Sequence, residues 1–164
     1  MVLCDTNILS TFAKISELAL LLQLVADQGI GVVPSGYEEL LNGVSRGYVA
    51  LQAAVELIER GQRALVMPTA EQTLTKGALP QSFDAGERET AVLAKSRGEK
   101  ILTNEQLVKN WCEREAGTNL DLPGILRSVW RTNFLTRKQV RGLIAQIEEK
   151  DRIVLKNQEA IFEE

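Results

Sequence analysis

Four short apolar runs recur along this chain, separated by longer segments whose apolar residues have helical spacing. The runs are residues 1–4 (MVLC), 30–34 (IGVVP), 64–68 (ALVMP) and 100–103 (KILT). Strands that alternate with helices pair in parallel through helical crossovers, and helices then cover both faces of the sheet. The alternation therefore predicts an α/β fold, a three-layer α/β/α sandwich with a central parallel β-sheet.

Several of the helical segments carry start signals of their own. Thr6 or Asn7 is expected to cap the first helix, and Ser35 and Glu38 have the spacing of a capping box in front of the third. Asp84 is expected to cap a helix over residues 85–97. Further helices are predicted from residue 16 and over about 49–60, 105–115, 123–132 and 137–149, the last of them capped by Thr136. Residues 69–80 are left open between helix and loop.

Length and composition favour one domain over residues 1–164, with a helical C-terminal part from about residue 122. The chain of 164 residues is 45% hydrophobic and 25% charged, which is enough to bury a core of its own. No run approaches the roughly 20 apolar residues that span a bilayer. Asp5 also interrupts the N-terminal apolar run too early for a signal peptide. We therefore expect a cytoplasmic protein without a membrane partner.

The residue types that are missing narrow the chemistry. The chain contains no histidine and only two cysteines, Cys4 and Cys112. Without histidine there is no Ser-His-Asp or Cys-His nucleophile system and no imidazole zinc site. Two distant cysteines form neither a CxxC motif nor a disulfide framework. An enzyme of this composition would depend on carboxylates, hydroxyls, Lys, Arg and a metal ion bound by them.

The net charge of −3 does not by itself indicate nucleic-acid binding, but the charge is unevenly distributed. Residues 124–147 contain Arg127, Arg131 and three further basic residues, and no acidic one. A solvated helix face explains such a stretch at least as well as contact with nucleic acid does. The stretch is therefore a candidate surface with a plain alternative.

Acidic and amide side chains flank the predicted strands at the edge where open parallel sheets bind their ligands. Asp5 follows the first strand directly. The others are Glu38 and Glu39 after the second strand, Asp84 and Glu87 in the first turn of the helix before the last strand, and Asn104 and Glu105 after that strand. Convergence of such groups without histidine would make an oxygen-ligand site, which suits Mg²⁺ or Mn²⁺ and the hydrolysis of phosphodiesters.

Each of these acids also has a structural explanation. Asp5 and Asp84 are each suited to capping a helix, and Glu38 is explained by the capping box with Ser35. Glu39 would be equally at home in solvent. Glu87 shares its helix face with small apolar residues, so its charge needs a partner, and a metal ion, a lysine or an arginine would each supply one.

Four stretches together resemble one known family. They are LCDTNIL (3–9), VVPSGYEELLNG (32–43), FDAGERETAVLAKSRGEKILTNE (83–105) and LVKNWCEREAG (107–117). In this order and spacing the chain resembles PIN-domain proteins, the fold of the VapC-type toxin ribonucleases. The resemblance implies a parallel sheet between helices and RNA cleavage by an acidic cluster that uses Mg²⁺ or Mn²⁺.

The resemblance also assigns roles to residues. The implied catalytic residues are Asp5, Glu39, Glu87 and Glu105, and the implied metal ligands are Asp5, Glu87, Glu105 and Asn104. Supporting positions are Thr6, Asn7, Asp84 and Thr103, and candidate RNA contacts are Lys109, Arg127 and Arg131. For Lys109 a solvent-facing side chain is an equally good interpretation.

The chain departs from the family at one point. The family usually has an aspartate just after the strand threonine, where this chain has Thr103, Asn104 and Glu105. Glu105 would reach an ion through its longer side chain or a bridging water, and Asn104 would offer a neutral carbonyl oxygen. Either change is expected to weaken metal affinity or turnover.

The sequence thus favours a metal-dependent ribonuclease, as the toxin of a toxin–antitoxin pair. The alternative is a catalytically weak PIN module that acts by binding RNA or a protein partner. A phosphatase would also use a strand-end aspartate, but Asn7 stands where its second aspartate belongs. The implied partners are RNA, an antitoxin protein and, as a homodimer, a second copy of the chain.

Overall fold

In the computed structural model, which describes residues 1–60 and 65–163, four short strands pair in parallel. They are β1 (Val2–Cys4), β2 (Ile30–Gly31), β3 (Lys100–Leu102) and β4 (Asn119–Leu120). The strand order is β2-β1-β3-β4, so the first strand lies inside the sheet between the second and the third. Val2 pairs with Ile30 on one side and with Lys100 on the other. The predicted central parallel sheet is confirmed.

Seven α-helices of the described residues lie between these strands in sequence, and two more follow β4. Their bounds are α1 (Thr6–Lys14), α2 (Leu18–Leu24), α3 (Pro34–Ser45), α4 (Gln52–Glu59), α5 (Ala70–Thr75), α6 (Ala85–Arg97), α7 (Gln106–Trp111), α8 (Leu122–Arg131) and α9 (Arg137–Lys150). Short 3₁₀ turns precede α4, follow α5 and end the described chain at Gln158–Phe162, and a π-helical turn, Cys112–Ala116, extends α7. None of the helices described is both long and apolar enough to cross a bilayer.

The sheet separates two apolar cores, which produces the three layers. Alternate residues of a strand face opposite sides, and accordingly Val2 and Cys4 belong to one core and Leu3 to the other. The larger core is formed with α1, α2, α4, α8 and α9, and the smaller one with α6 and α7. Both cores pack directly against β1, so the residues that follow β1 begin at a rigidly held strand end.

The strand predictions were wrong at the edges of the sheet. Residues 65–68 form no strand but a single parallel bridge between Leu65 and Val32, and Ala64 lies outside the described residues. Leu65 and Met67 are exposed, so the run has one buried residue, Val66, instead of a buried face. The strand β4 was not predicted, because two residues within a polar sequence carry no apolar pattern.

The helix starts differ from the sequence expectation at α1 and α3. Asp5 occupies the position before α1, and neither Thr6 nor Asn7 caps it, since the helix already begins at Thr6. At α3 the capping box of Ser35 and Glu38 was wrong: Pro34 begins the helix, and the preceding residue provides no side-chain cap. The capping residues Asp84 of α6 and Thr136 of α9 are confirmed, each in a full capping box.

The end of α6 offers a test of this backbone. Gly98 ends the helix with φ +65°, a left-handed conformation, whereas Gly142 lies within α9 with open space around the position of a Cβ atom. We expect Gly98→Ala to lower the free energy of unfolding by about 1 kcal/mol and Gly142→Ala to raise it by roughly 0.5–1 kcal/mol. Urea denaturation of the two variants would check this. Equal effects of the same sign would contradict the assigned helix end.

Candidate active site

The site is built at the carboxyl edge of the sheet, and Asp5 lies at its centre. Its Oδ2 atom accepts hydrogen bonds from Thr103 Oγ1 at 2.7 Å and from Asn7 Nδ2 at 3.1 Å. Thr6 Oγ1 lies 3.4 Å from the other carboxylate oxygen. Burial raises the pKa of Asp5, and the charge of Glu105 adds to the increase, while the Thr103 hydrogen bond opposes it. Asp5 is therefore a desolvated carboxylate held in one orientation.

Glu39 joins the site from the second turn of α3. Its Oε2 atom accepts a hydrogen bond from Thr6 Oγ1 at 2.6 Å, so the threonine after Asp5 ties α3 to the start of α1. Burial is the main cause that raises the pKa of Glu39, and the charges of Asp84 and Asp5 raise it further. Glu38 and Glu39 are both exposed at the surface, but Glu39 is the one that bonds to Thr6 beside Asp5. The structure thus brings Glu39, and not Glu38, to the cluster.

Glu87 and Asp84 enter together from the first turn of α6. Each side chain accepts a hydrogen bond of 2.8 Å from the backbone N–H of the other, which makes the capping box. Burial raises the pKa of Glu87, and the charges of Asp84, Asp5 and Glu105 add to it, against the hydrogen bond from the Asp84 amide. Glu87 therefore both takes part in the capping box of α6 and lies close enough to Asp5 to be affected by its charge.

The two residues after Thr103 have different surroundings. Glu105 Oε1 lies 3.3 Å from Asn7 Nδ2, so Asn7 donates to Glu105 and to Asp5. The side-chain carbonyl of Asn104 instead accepts a hydrogen bond of 2.9 Å from the backbone N–H of Leu122, at the start of α8. Of these two candidate ligands, the structure brings Glu105 toward Asp5 and directs the Asn104 oxygen to α8.

The donor set fits a hard divalent cation such as Mg²⁺ or Mn²⁺, because it consists of carboxylate and neutral oxygen atoms. Burial is the main cause that raises the pKa of Asp5, Glu39 and Glu87, and the negative charge of the nearby Asp84 raises the pKa of all three further. Within residues 1–60 and 65–163, no three acidic or thiol groups lie close enough together, in their present side-chain positions, to hold an ion. Each carboxylate is directed at the hydrogen-bond donors described above.

Two glycines allow α3 and α6 to approach each other beside the site. A Cβ atom on Gly86 would lie 3.1 Å from Glu39 Oε1 and 3.7 Å from the backbone nitrogen of Gly36. A Cβ atom on Gly36 would lie 3.1 Å from the Thr6 methyl group. The absence of a side chain at Gly86 therefore leaves room for the Glu39 carboxylate, and its absence at Gly36 leaves room for Thr6, which binds that carboxylate.

The predicted RNA contacts are not gathered at the cluster. Lys109 forms an ion pair of 2.8 Å with Asp121, the residue that caps α8. Arg127 donates to the backbone carbonyl of Ala160 in the C-terminal 3₁₀ turn. Arg131 is exposed at the end of α8. Lys109 and Arg127 thus have structural partners, and the solvent-facing interpretation of Lys109 is not what the structure shows.

Glu89 is a buried acid that the sequence reasoning missed. Its Oε2 atom accepts a hydrogen bond of 2.9 Å from the Ser35 backbone N–H, and its Oε1 atom pairs with Lys76 at 2.7 Å. Burial would raise the pKa of Glu89, but the hydrogen bonds from Lys76 and Ser35 outweigh it and hold the pKa below its ordinary value. A signal was present, since Glu89 shares a helix face with the apolar Val92 and Leu93.

Comparison with known proteins gives one match. A family model described as a PIN domain matches residues 1–160 of the chain. No curated protein and no solved structure matches it.

Gly86→Ala tests the close approach of α3 and α6. The added methyl group would press on the Glu39 carboxylate, so we expect any activity that uses Glu39 to fall about tenfold or more. The fold should be little affected, because a side-chain terminus can shift more easily than backbone. Thermal unfolding and activity would be measured in parallel, with Gly142→Ala as the control. A loss of stability without loss of activity would contradict this account.

Proposed function

The chain belongs to the PIN-domain family, and from this premise and its carboxylate cluster we propose that it is a Mg²⁺- or Mn²⁺-dependent endoribonuclease. PIN domains are generally nucleases and generally use divalent metals. The observation that carries the proposal is the convergence of acids on Asp5 at the sheet edge: the charge of Asp84 raises the pKa of Asp5, Glu39 and Glu87, and the charge of Asp5 raises the pKa of Glu39 and Glu87. Such a concentration of unneutralised charge favours the binding of a cation.

In this proposal Asp5, Glu87 and Glu105 hold the metal ion, with Glu39 as a further catalytic carboxylate. When bound, the ion would lower the pKa of a water molecule and offset the charge that develops on the phosphodiester. Raised carboxylate pKa values suit a group that accepts a proton from that water. Asn104 is the weaker ligand candidate, because its oxygen already accepts the Leu122 amide.

The remaining site residues act on these carboxylates and not on RNA. Thr103 and Asn7 orient Asp5, Thr6 orients Glu39, and the Asp84 backbone orients Glu87. Among the three basic candidates, Arg131 is the exposed one, so its side chain is accessible to an RNA backbone. Lys109 and Arg127 would first have to leave their present partners.

Substitution of the central aspartate tests the activity. With Mn²⁺, the wild-type protein is expected to cleave a labelled single-stranded RNA, and Asp5→Asn to reduce the rate by about a hundredfold or more. Glu38→Gln is the matched control, because it removes a carboxylate from the same helix that carries Glu39 without touching the cluster. Cleavage by Asp5→Asn at the wild-type rate would refute the proposed site.

The raised pKa values also predict how stability depends on pH. A carboxyl group whose pKa is higher in the folded than in the unfolded protein disfavours the folded state once it ionises. In EDTA, stability should therefore fall as pH rises from the ordinary carboxylate range through the raised values of Asp5, Glu39 and Glu87.

Glu87→Gln examines this dependence at one residue. Glutamine keeps the capping box with Asp84 but carries no charge. We expect the metal-free variant to unfold at a higher temperature than wild type at pH 7, and the difference to vanish at acid pH, where Glu87 is protonated in both states. Thermal unfolding in EDTA over a pH series, with Glu38→Gln beside it, measures this. A lower unfolding temperature at pH 7 would contradict the assigned charge repulsion.

The second candidate function is a binding module for RNA or a protein, without turnover. It is favoured by one observation: as placed, the described acidic groups do not gather three around one point. Calorimetry with Mn²⁺ separates the two functions, since failure to bind at millimolar metal would support the binding module.

A role as the toxin of a toxin–antitoxin pair is proposed on the resemblance to VapC-type proteins alone. It implies an antitoxin protein as partner, and a homodimer is the corresponding assembly. A small reading frame beside the gene, encoding a protein with a DNA-binding N-terminus, would support it.

A further inference from the structure

The two helices that carry Glu39 and Glu87 are joined by a third acid. Glu89 lies on α6, two residues after Glu87, and faces α3. Its carboxylate accepts a hydrogen bond of 2.9 Å from the Ser35 N–H in the first turn of α3. The other carboxylate oxygen forms an ion pair of 2.7 Å with Lys76. The Glu89 side chain is 11% exposed and that of Lys76 is 25% exposed, so this ion pair is largely withdrawn from water.

Helix α3 depends on this contact because it has no cap of its own. Its N-terminus begins with Pro34, and the residue before it provides no side-chain hydrogen bond. The N–H groups of a first helical turn lack partners within the helix and attract negative charge. Glu89 supplies both an acceptor and a charge from another helix, which fixes where α3 begins relative to α6.

Beside the Glu89 contact, α3 and α6 also approach each other closely at two glycines. Gly86, between Asp84 and Glu87, lies against the backbone of Gly36, the residue after Ser35. The Glu89 carboxylate and this glycine contact therefore act on one junction. A small displacement of α3 there moves Glu39, which is located one turn further along the helix.

We propose that Glu89 is a positioning residue for the metal site: by binding the first turn of α3 while its own helix carries Glu87, it sets the separation of the Glu39 and Glu87 carboxylates. This inference rests on the proposed function. Glu89 itself contacts neither the ion nor RNA in this arrangement, because both of its oxygen atoms already have partners within the protein.

Two substitutions of Glu89 are expected to weaken Mn²⁺ binding to different degrees. Glu89→Ala removes the acceptor, and we expect Mn²⁺ affinity to fall about tenfold, as is usual when a residue that orients metal ligands is lost. Glu89→Gln keeps an oxygen acceptor for the Ser35 amide but loses the ion pair with Lys76, so its affinity should fall between wild type and Glu89→Ala. Calorimetry of the full chain with Mn²⁺ alone measures these affinities, without RNA and without turnover.

Hydrogen exchange of the Ser35 amide provides a readout that needs no metal. In the wild type this N–H should be protected by Glu89, and Glu89→Ala should make it exchange faster. Asp151→Asn is the matched control, because Asp151 forms a comparably buried ion pair with Lys14 and accepts from Thr11, away from α3 and α6. That variant should lower the unfolding temperature and leave both Mn²⁺ affinity and Ser35 exchange unchanged.

The outcomes separate the inference from the proposed function. Weakened Mn²⁺ binding and faster Ser35 exchange in Glu89→Ala, with Asp151→Asn unchanged, support the inference. Wild-type affinity in Glu89→Ala overturns it and leaves the proposed function standing. If Glu89→Ala does not fold, faster Ser35 exchange in Glu89→Gln together with wild-type Mn²⁺ affinity overturns it instead. A wild-type protein that binds no Mn²⁺ overturns the proposed function and this inference together.

Discussion

The gathering of partly desolvated carboxylates at one edge of the sheet is the constraint on which the surrounding contacts depend. Asp5, Glu39 and Glu87 each have a pKa raised first by burial and then by neighbouring acids. Buried charges of one sign destabilise a fold unless hydrogen bonds compensate them. The chain meets this requirement with hydroxyl and amide donors, principally Thr103 after β3 and Asn7 in α1, and with the backbone N–H of Asp84 at the start of α6.

These donors connect elements that are distant in sequence. Asn7 is one residue of α1, yet it donates to Asp5 and Glu105 and accepts from the backbone of Asn104. Thr103, which is fully buried, donates to Asp5 and accepts from the backbone N–H of Glu105. The ends of β1 and β3 are consequently joined by side chains beyond the last strand hydrogen bonds. The same hydrogen bonds therefore orient the acids and hold the edge of the sheet together.

Local signals in the sequence predicted the starts of α6 and α9 but not those of α1 and α3, and contacts between distant segments were not predictable. The capping box at Asp84 and the helix behind it were predictable, because both partners lie within one turn. Glu39 was placed in the cluster by resemblance, whereas its partner Thr6 was expected to cap a helix. The cap of α3 was mispredicted because the acceptor for Ser35 is Glu89, 54 residues away, and no spacing rule connects them. Strand β4 was missed because pairing with β3, and not its own composition, makes it a strand.

The contacts of residues 104 and 105 account for the departure from the family's usual aspartate after Thr103. A side chain at position 104 is directed at the first turn of α8, where Asn104 accepts the Leu122 amide. An aspartate there would find the same amide and would place its charge at the helix N-terminus, where negative charge is favoured. Position 105 is turned toward Asn7 and Asp5, and it carries the longer acid. The charge that the family usually has one residue earlier is therefore retained on the side of the cluster, and the neutral Asn104 is left to secure α8.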